Sequence, residues 1–165
     1  MTWNEFFALL AFIGVCFGAA SSGAIFKPGQ WYQHLAKPNW VPPMWLFPVA
    51  WSVLYAMISV SGWLVWKQAG LAGASLAFVI FGLQLVLNAG WSAIYFGLHR
   101  MDLALIEVAG LWASIVALIA AFAPHSQTAA WLLVPYLAWV SFAAFLNFVM
   151  LRLNPQASDS QLAVK

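Results

Sequence analysis

The run LALIEVAGLWASIVALIAAFA, residues 103–123, decides the fold class. Its 21 positions hold one ionisable residue, Glu107. About 20 apolar residues cross the ~30 Å hydrocarbon layer of a bilayer as an α-helix. A strand of a membrane barrel would instead alternate apolar and polar residues over segments of about ten. No alternation occurs here, nor in LLAFIGVCFGAA, residues 9–20. Inside lipid the backbone has no water to bond, so a continuously apolar run must satisfy its own N–H and C=O groups as a helix. The expected fold is all-α, an integral membrane bundle.

Composition agrees. The chain is 65% hydrophobic and 6% charged, with a mean hydropathy of +0.89. A soluble domain carries about a quarter charged residues. The net charge of +2 is too small to argue for a nucleic-acid partner, and the partner implied throughout is the lipid bilayer. Three histidines and the single Cys16 are scattered, so neither a metal site, a disulfide framework nor a bound cofactor is expected. The start, MTWNEFF, lacks a basic n-region and carries Glu5, so the first apolar run is expected as a retained helix.

Five spans are expected in one domain, residues 1–153, at about 3–26, 43–66, 72–97, 102–123 and 128–153, with a polar tail over 154–165. Pro43 suits a first helical turn, and Pro48 either kinks the second helix or marks its true start. Lys67-Gln68-Ala69-Gly70 closes that helix, Asp102 is the expected N-cap of the fourth, and Pro135 interrupts the fifth. Gly14, Gly18 and Ser22 recur every fourth residue, so they form one face against a helix of the bundle or of a second copy. An odd number of spans puts the termini on opposite sides. Lys27, Lys37, Arg100, Arg152 and Lys165 then share one side and Lys67 lies on the other, which orients the amino terminus outside and the carboxyl terminus in the cytoplasm.

The first connection is the anomaly. KPGQWYQHLAKPNWVPPMWLFPVAW, residues 27–51, holds five of the eight prolines and four of the eleven tryptophans. Trp3, Trp63, Trp66 and Trp131 are explained as interfacial anchors. Trp31, Trp40 and Trp45 are explained so only in part, and Trp51 falls about two turns inside a helix. Aromatic faces with cations nearby suit a large, flat, apolar ligand with acidic edges: rings hold its plane and Lys or His meets its carboxylates. A tetrapyrrole answers that description and a sterol answers it less closely. Gln84 and Asn88 share a face of the third span, where interhelical hydrogen bonding and a polar point in an apolar cavity both stand as readings. Asn147 invites the same two. Glu107 is the one acid well within a span, expected either to snorkel or pair near the interface or to serve a site.

Three stretches, WYQHLAKPNWVPPMWLFPVAW (31–51), LNAGWSAIYFG (87–97) and PYLAWVSFAAFLN (135–147), make the chain resemble the TspO/MBR family, that of the translocator protein or peripheral-type benzodiazepine receptor and its bacterial relatives. The resemblance covers nearly the whole chain and implies a five-helix fold with a pocket opening toward the first connection, which acts as its lid. It implies ligands of three kinds: porphyrins such as protoporphyrin IX and haem, sterols, and benzodiazepine or isoquinoline-carboxamide drugs. It also implies a homodimer. By position it places Ala24, Trp31, Trp40, Phe47, Trp51, Asn88, Tyr95, Ala143 and Asn147 at the ligand. Trp51 and Trp139 match the two tryptophans that the family ties to light-dependent porphyrin breakdown. The chain departs from the family's sterol motif at Phe148, where that motif has Tyr, and carries Leu103 and Glu107 where animal members have Trp and Asp.

Motifs for hydrolysis, nucleotide binding or metal catalysis are missing from the sequence. The expected function is therefore tetrapyrrole binding, as sensor, regulator or transporter. Light-driven porphyrin degradation, which needs only an electron donor and oxygen, comes second, and a membrane scaffold with a secondary pocket third.

Overall fold

The computed structural model describes residues 2–157. Among them five helical spans are long and apolar enough to cross a membrane, and strands are lacking. The architecture is the all-α five-span bundle expected. The first span is α1 (Trp3–Ile25), opened by a capping box: the Thr2 hydroxyl accepts from Glu5 N–H while the Glu5 carboxylate accepts from Thr2 N–H. A short helix, α2 (Gln30–His34), follows inside the connection, where sequence gave only a loop.

The second span, α3 (Leu46–Gly73), begins three residues later than expected. Pro43 stays outside it, its carbonyl accepting from Leu46 N–H in a tight turn. Pro48 therefore occupies the first helical turn, where a missing N–H leaves nothing unsatisfied, and it marks the start instead of kinking the helix. The break comes at the other end: Gly70 takes φ 65°, ψ 176°, a conformation open to glycine, so the regular helix stops there as the Lys67–Gly70 signal suggested.

The third span is α4 (Ser75–Ser92) continued by a π-helical turn over Ala93–Gly97. α5 (Met101–Phe122) is the fourth. Asp102 is not its N-cap; that position is Arg100, whose guanidinium grips the Asp102 carboxylate at 2.8 Å. The fifth span is two helices, α6 (Gln127–Leu132) and α7 (Val134–Leu153), with Pro135 in the first turn of α7. Ser126 caps α6 by accepting from Ala129 N–H. The residues after 157, with Asp159 and Lys165, lie outside the described residues.

α1 packs on α3 and α4, α4 on α5, α5 on α7, and α6 on α3. The half of the bundle remote from the first connection is packed at its centre. Phe81 stacks on Phe122 at 6.1 Å, and Phe12 meets Phe81 edge-on at 5.7 Å. Ile58, Val65, Ile115, Leu118 and Leu133 fill the space around them, each fully buried. α1 presses hard on α3 here: a Cβ on Gly62 would lie 2.9 Å from the Phe12 ring. Cys16 packs in this core, as its apolar setting suggested. Gly14 and Gly18 behave otherwise. Nothing lies within 4 Å of a Cβ built on either, so packing within the bundle does not explain them. Trp3 and Trp131 are exposed, as anchors at a lipid interface require.

Candidate functional site

At the end nearer the first connection the bundle is hollow. A cavity of about 640 Å³ lies between the C-terminal half of α1, the start of α3, the end of α4 with its π turn, and the inner faces of α5 and α7. That size falls within the roughly 300–1,000 Å³ of ligand sites. Eight of the residues placed at a ligand by sequence resemblance meet on its wall: Ala24, Phe47, Trp51, Asn88, Tyr95, Trp139, Ala143 and Asn147. Phe47 meets Trp139 edge-on at 5.9 Å, and Trp51 leans on Tyr55 at 5.5 Å and on Tyr136 at 6.3 Å.

Two of the expected residues do not reach the wall. Trp31 stacks flat on His99 at 4.5 Å and meets Tyr95 edge-on at 6.0 Å. Trp40 stacks on Phe145 at 5.5 Å and is 44% exposed. Both brace the connection from outside, because α2 and the turn at 39–40 swing their rings onto neighbouring helices and away from the cavity. His99 accepts an unfavourable left-handed φ of 56° where it carries Trp31.

Polar groups are few and ordered. The Tyr55 hydroxyl donates to Asn88 Oδ1 at 2.7 Å, Asn88 Nδ2 donates to the Tyr136 hydroxyl at 2.7 Å, and Tyr136 donates to Gln84 Oε1 at 2.9 Å. The chain joins α3, α4 and α7. Gln84 and Asn88 thus tie helices together, and Asn88 is also a polar point on the cavity wall. Gln84 Nε2, both polar atoms of Asn147 and Nε1 of Trp91 are buried without a hydrogen-bond partner. Glu107 neither snorkels nor pairs: both carboxyl oxygens are buried and unpartnered, with Oε1 beside Gly90 of α4. Among the described residues Lys27 is the charged side chain on the wall, at the connection end.

The connection itself is a fitted cover. Tyr32 and Leu35 are buried against Tyr95, Met101, Leu146 and Met150. Burial raises the Tyr32 phenol above its ordinary pKa. Lys37 sits over the Tyr32 ring at 4.8 Å. Asn154, just past α7, clamps Ala36 twice: its Oδ1 accepts from Ala36 N–H at 2.8 Å and its Nδ2 donates to Ala36 C=O at 2.9 Å.

Sequence reasoning missed Tyr55, Trp91 and Tyr136. The signal was present as helical spacing, since each lies three or four residues from a residue already singled out: Trp51, Asn88 and Trp139 respectively.

The model of the TspO/MBR family matches residues 6–153. A "Tryptophan-rich protein TspO" from Chlorobaculum tepidum is 42% identical over 159 residues, covering 92% of this chain and 99% of its own. A "Tryptophan-rich sensory protein" from Cereibacter sphaeroides is 40% identical, covering 93% and 94%. The human "Translocator protein" is 38% identical over 128 residues, covering 76% and 75%. With five spans, a hollow end and this extent of match, the chain is a multi-pass integral membrane protein belonging to the TspO/MBR family.

Proposed function

We propose that this protein is a membrane receptor for flat, largely apolar ligands with an acidic edge, the tetrapyrroles protoporphyrin IX and haem first among them, and that it serves as a sensor or regulator of them. The observation that carries this is the wall of the cavity: Phe47, Trp51, Trp91, Tyr95 and Trp139 supply ring faces, and Lys27 supplies one cation at the water end. Rings hold an apolar plane while a cation at the mouth meets a carboxylate. The name "Tryptophan-rich sensory protein" of the Cereibacter sphaeroides relative supports the sensor role. Reception is favoured over carriage because Phe12, Phe78, Phe81 and Phe122 pack ring on ring across the centre of the far half. Protoporphyrin IX should quench the tryptophan fluorescence of the purified protein to a saturating end point. A linear, unsaturating loss of signal would remove the reading.

Light-dependent porphyrin breakdown is the second reading, supported by the place of Trp51 and Trp139 on the wall, where an indole can give an electron to a photoexcited ring. If the porphyrin band bleaches equally under light in wild type and in Trp51→Phe/Trp139→Phe, these tryptophans are not catalytic. Sterols and the drug classes fit the same apolar wall with less polar complementarity. A homodimer would give Gly14 and Gly18 the neighbour that the single chain lacks. The charge asymmetry supports an outside amino terminus and a cytoplasmic first connection.

A further inference from the structure

The cavity wall is not equally deep on all sides. Its residues on α4, α5 and α7 are buried to 7% exposure or less at Asn88, Tyr95, Val108, Leu111, Val140 and Asn147. Several of its residues on α1 and the start of α3 are open: Phe17 is 51% exposed, and Gly23, Ala24, Pro48 and Ser52 are exposed too. The opening therefore follows the seam between α1 and α3. Below Phe17 the seam shuts: Cys16 is fully buried and Gly62 lies under the Phe12 ring. Above it the two helices are joined by the long connection over 26–45, which lets their ends stand apart. The eight steps from Phe17 to Ile25 rise about 12 Å at 1.5 Å each, so the slot reaches well into the hydrocarbon layer.

The rim is built to face lipid. Ser52 Oγ donates to Pro48 C=O at 2.8 Å, so this exposed hydroxyl is spent on its own helix. A hydroxyl left free toward hydrocarbon would carry a desolvation cost. At the other end, two hydrogen bonds between Asn154 and Ala36 and the stack of Trp31 on His99 hold the connection against the bundle.

We propose that the ligand of this cavity enters and leaves sideways, from the bilayer, through the α1–α3 slot, with Phe17 and Ser52 as its gateposts and the connection staying closed. This inference rests on the receptor reading above. A flat ligand already dissolved in the membrane then needs no lid opening.

The test is stopped-flow tryptophan quenching by protoporphyrin IX dimethyl ester, with the full chain in lipid nanodiscs. Ser52→Trp should narrow the slot and slow association and dissociation together by about tenfold, a barrier change of about 1.4 kcal/mol, with Kd moving less than about threefold. Phe17→Ala should speed both, and Asn154→Ala should change neither. Normal rates in both rim variants, or faster exchange in Asn154→Ala, overturn the slot while leaving the receptor reading intact. No saturable quenching in wild type by either the ester or protoporphyrin IX itself overturns both. Equilibrium Kd in each variant separates a blocked gate from a damaged site.

Discussion

Tyr136→Phe removes one oxygen from the centre of the bundle. That hydroxyl accepts from Asn88 Nδ2 and donates to Gln84 Oε1, and Tyr136 is fully buried. The ring stays and its packing with Trp51 survives, so the loss is confined to two hydrogen bonds. Gln84 Nε2 already has no partner, so after the change the Gln84 amide has none on either atom. In water-soluble proteins each such bond contributes about 1 kcal/mol, and an orphaned buried group costs about 1–3 kcal/mol. Between helices in a membrane the average is nearer 0.6 kcal/mol per bond. Two bonds and an orphaned amide therefore come to about 2 kcal/mol, roughly a thirtyfold change in the folding equilibrium. The assay is reversible unfolding in mixed micelles of rising denaturing-detergent fraction. Gln84→Leu supplies the control. In wild type it removes one bond and one orphan and should be nearly neutral; in Tyr136→Phe it removes an orphan alone and should restore about 1 kcal/mol. A Tyr136→Phe variant as stable as wild type would refute the reasoning. So would a Gln84→Leu effect identical in both backgrounds, because the cycle then shows no coupling.

Other predictions follow from single contacts. Gly62→Ala forces a methyl to 2.9 Å from the Phe12 ring and should cost about 1–3 kcal/mol in the same unfolding assay; Gly14→Ala, with open space around it, should cost the monomer far less. Asn154→Ala frees Ala36 N–H and C=O, so hydrogen exchange at the Ala36 amide should quicken at least tenfold while the α4–α5 core stays protected. Lys27→Gln should weaken protoporphyrin IX binding about three- to tenfold and leave its dimethyl ester unchanged, as read by tryptophan quenching, since a partly solvated charge pair is worth about 1 kcal/mol.

The spans were legible because hydrophobic runs of this length have one solution in lipid. Their ends were harder, for identifiable reasons. Pro43 and Pro48 both fit a first turn, and only the carbonyl of Pro43 bonding Leu46 N–H decides between them. Thr2 and Glu5 stand at capping-box spacing in the sequence and form that box at the start of α1. α2 is too short to show a period, being held by burial of Tyr32 and Leu35. The resemblance brought Trp51, Asn88, Trp139 and Asn147 to one place. Trp31 and Trp40 went elsewhere because their neighbours in space, His99 and Phe145, are distant in sequence. Glu107 neither snorkels nor pairs, because its carboxyl lies buried beside Gly90 of another helix, a neighbour distant in sequence.

The central claim is that a tetrapyrrole sits in the cavity between α1, α3, α4 and α7. Ala143 lies on that wall, so Ala143→Trp fills the space with a ring. Titrating protoporphyrin IX into wild type and Ala143→Trp, each shown folded by its unfolding midpoint, is the most direct test. Saturable one-to-one binding in wild type and at least a tenfold weaker Kd in Ala143→Trp is the predicted result. Equal binding by the two proteins would contradict it.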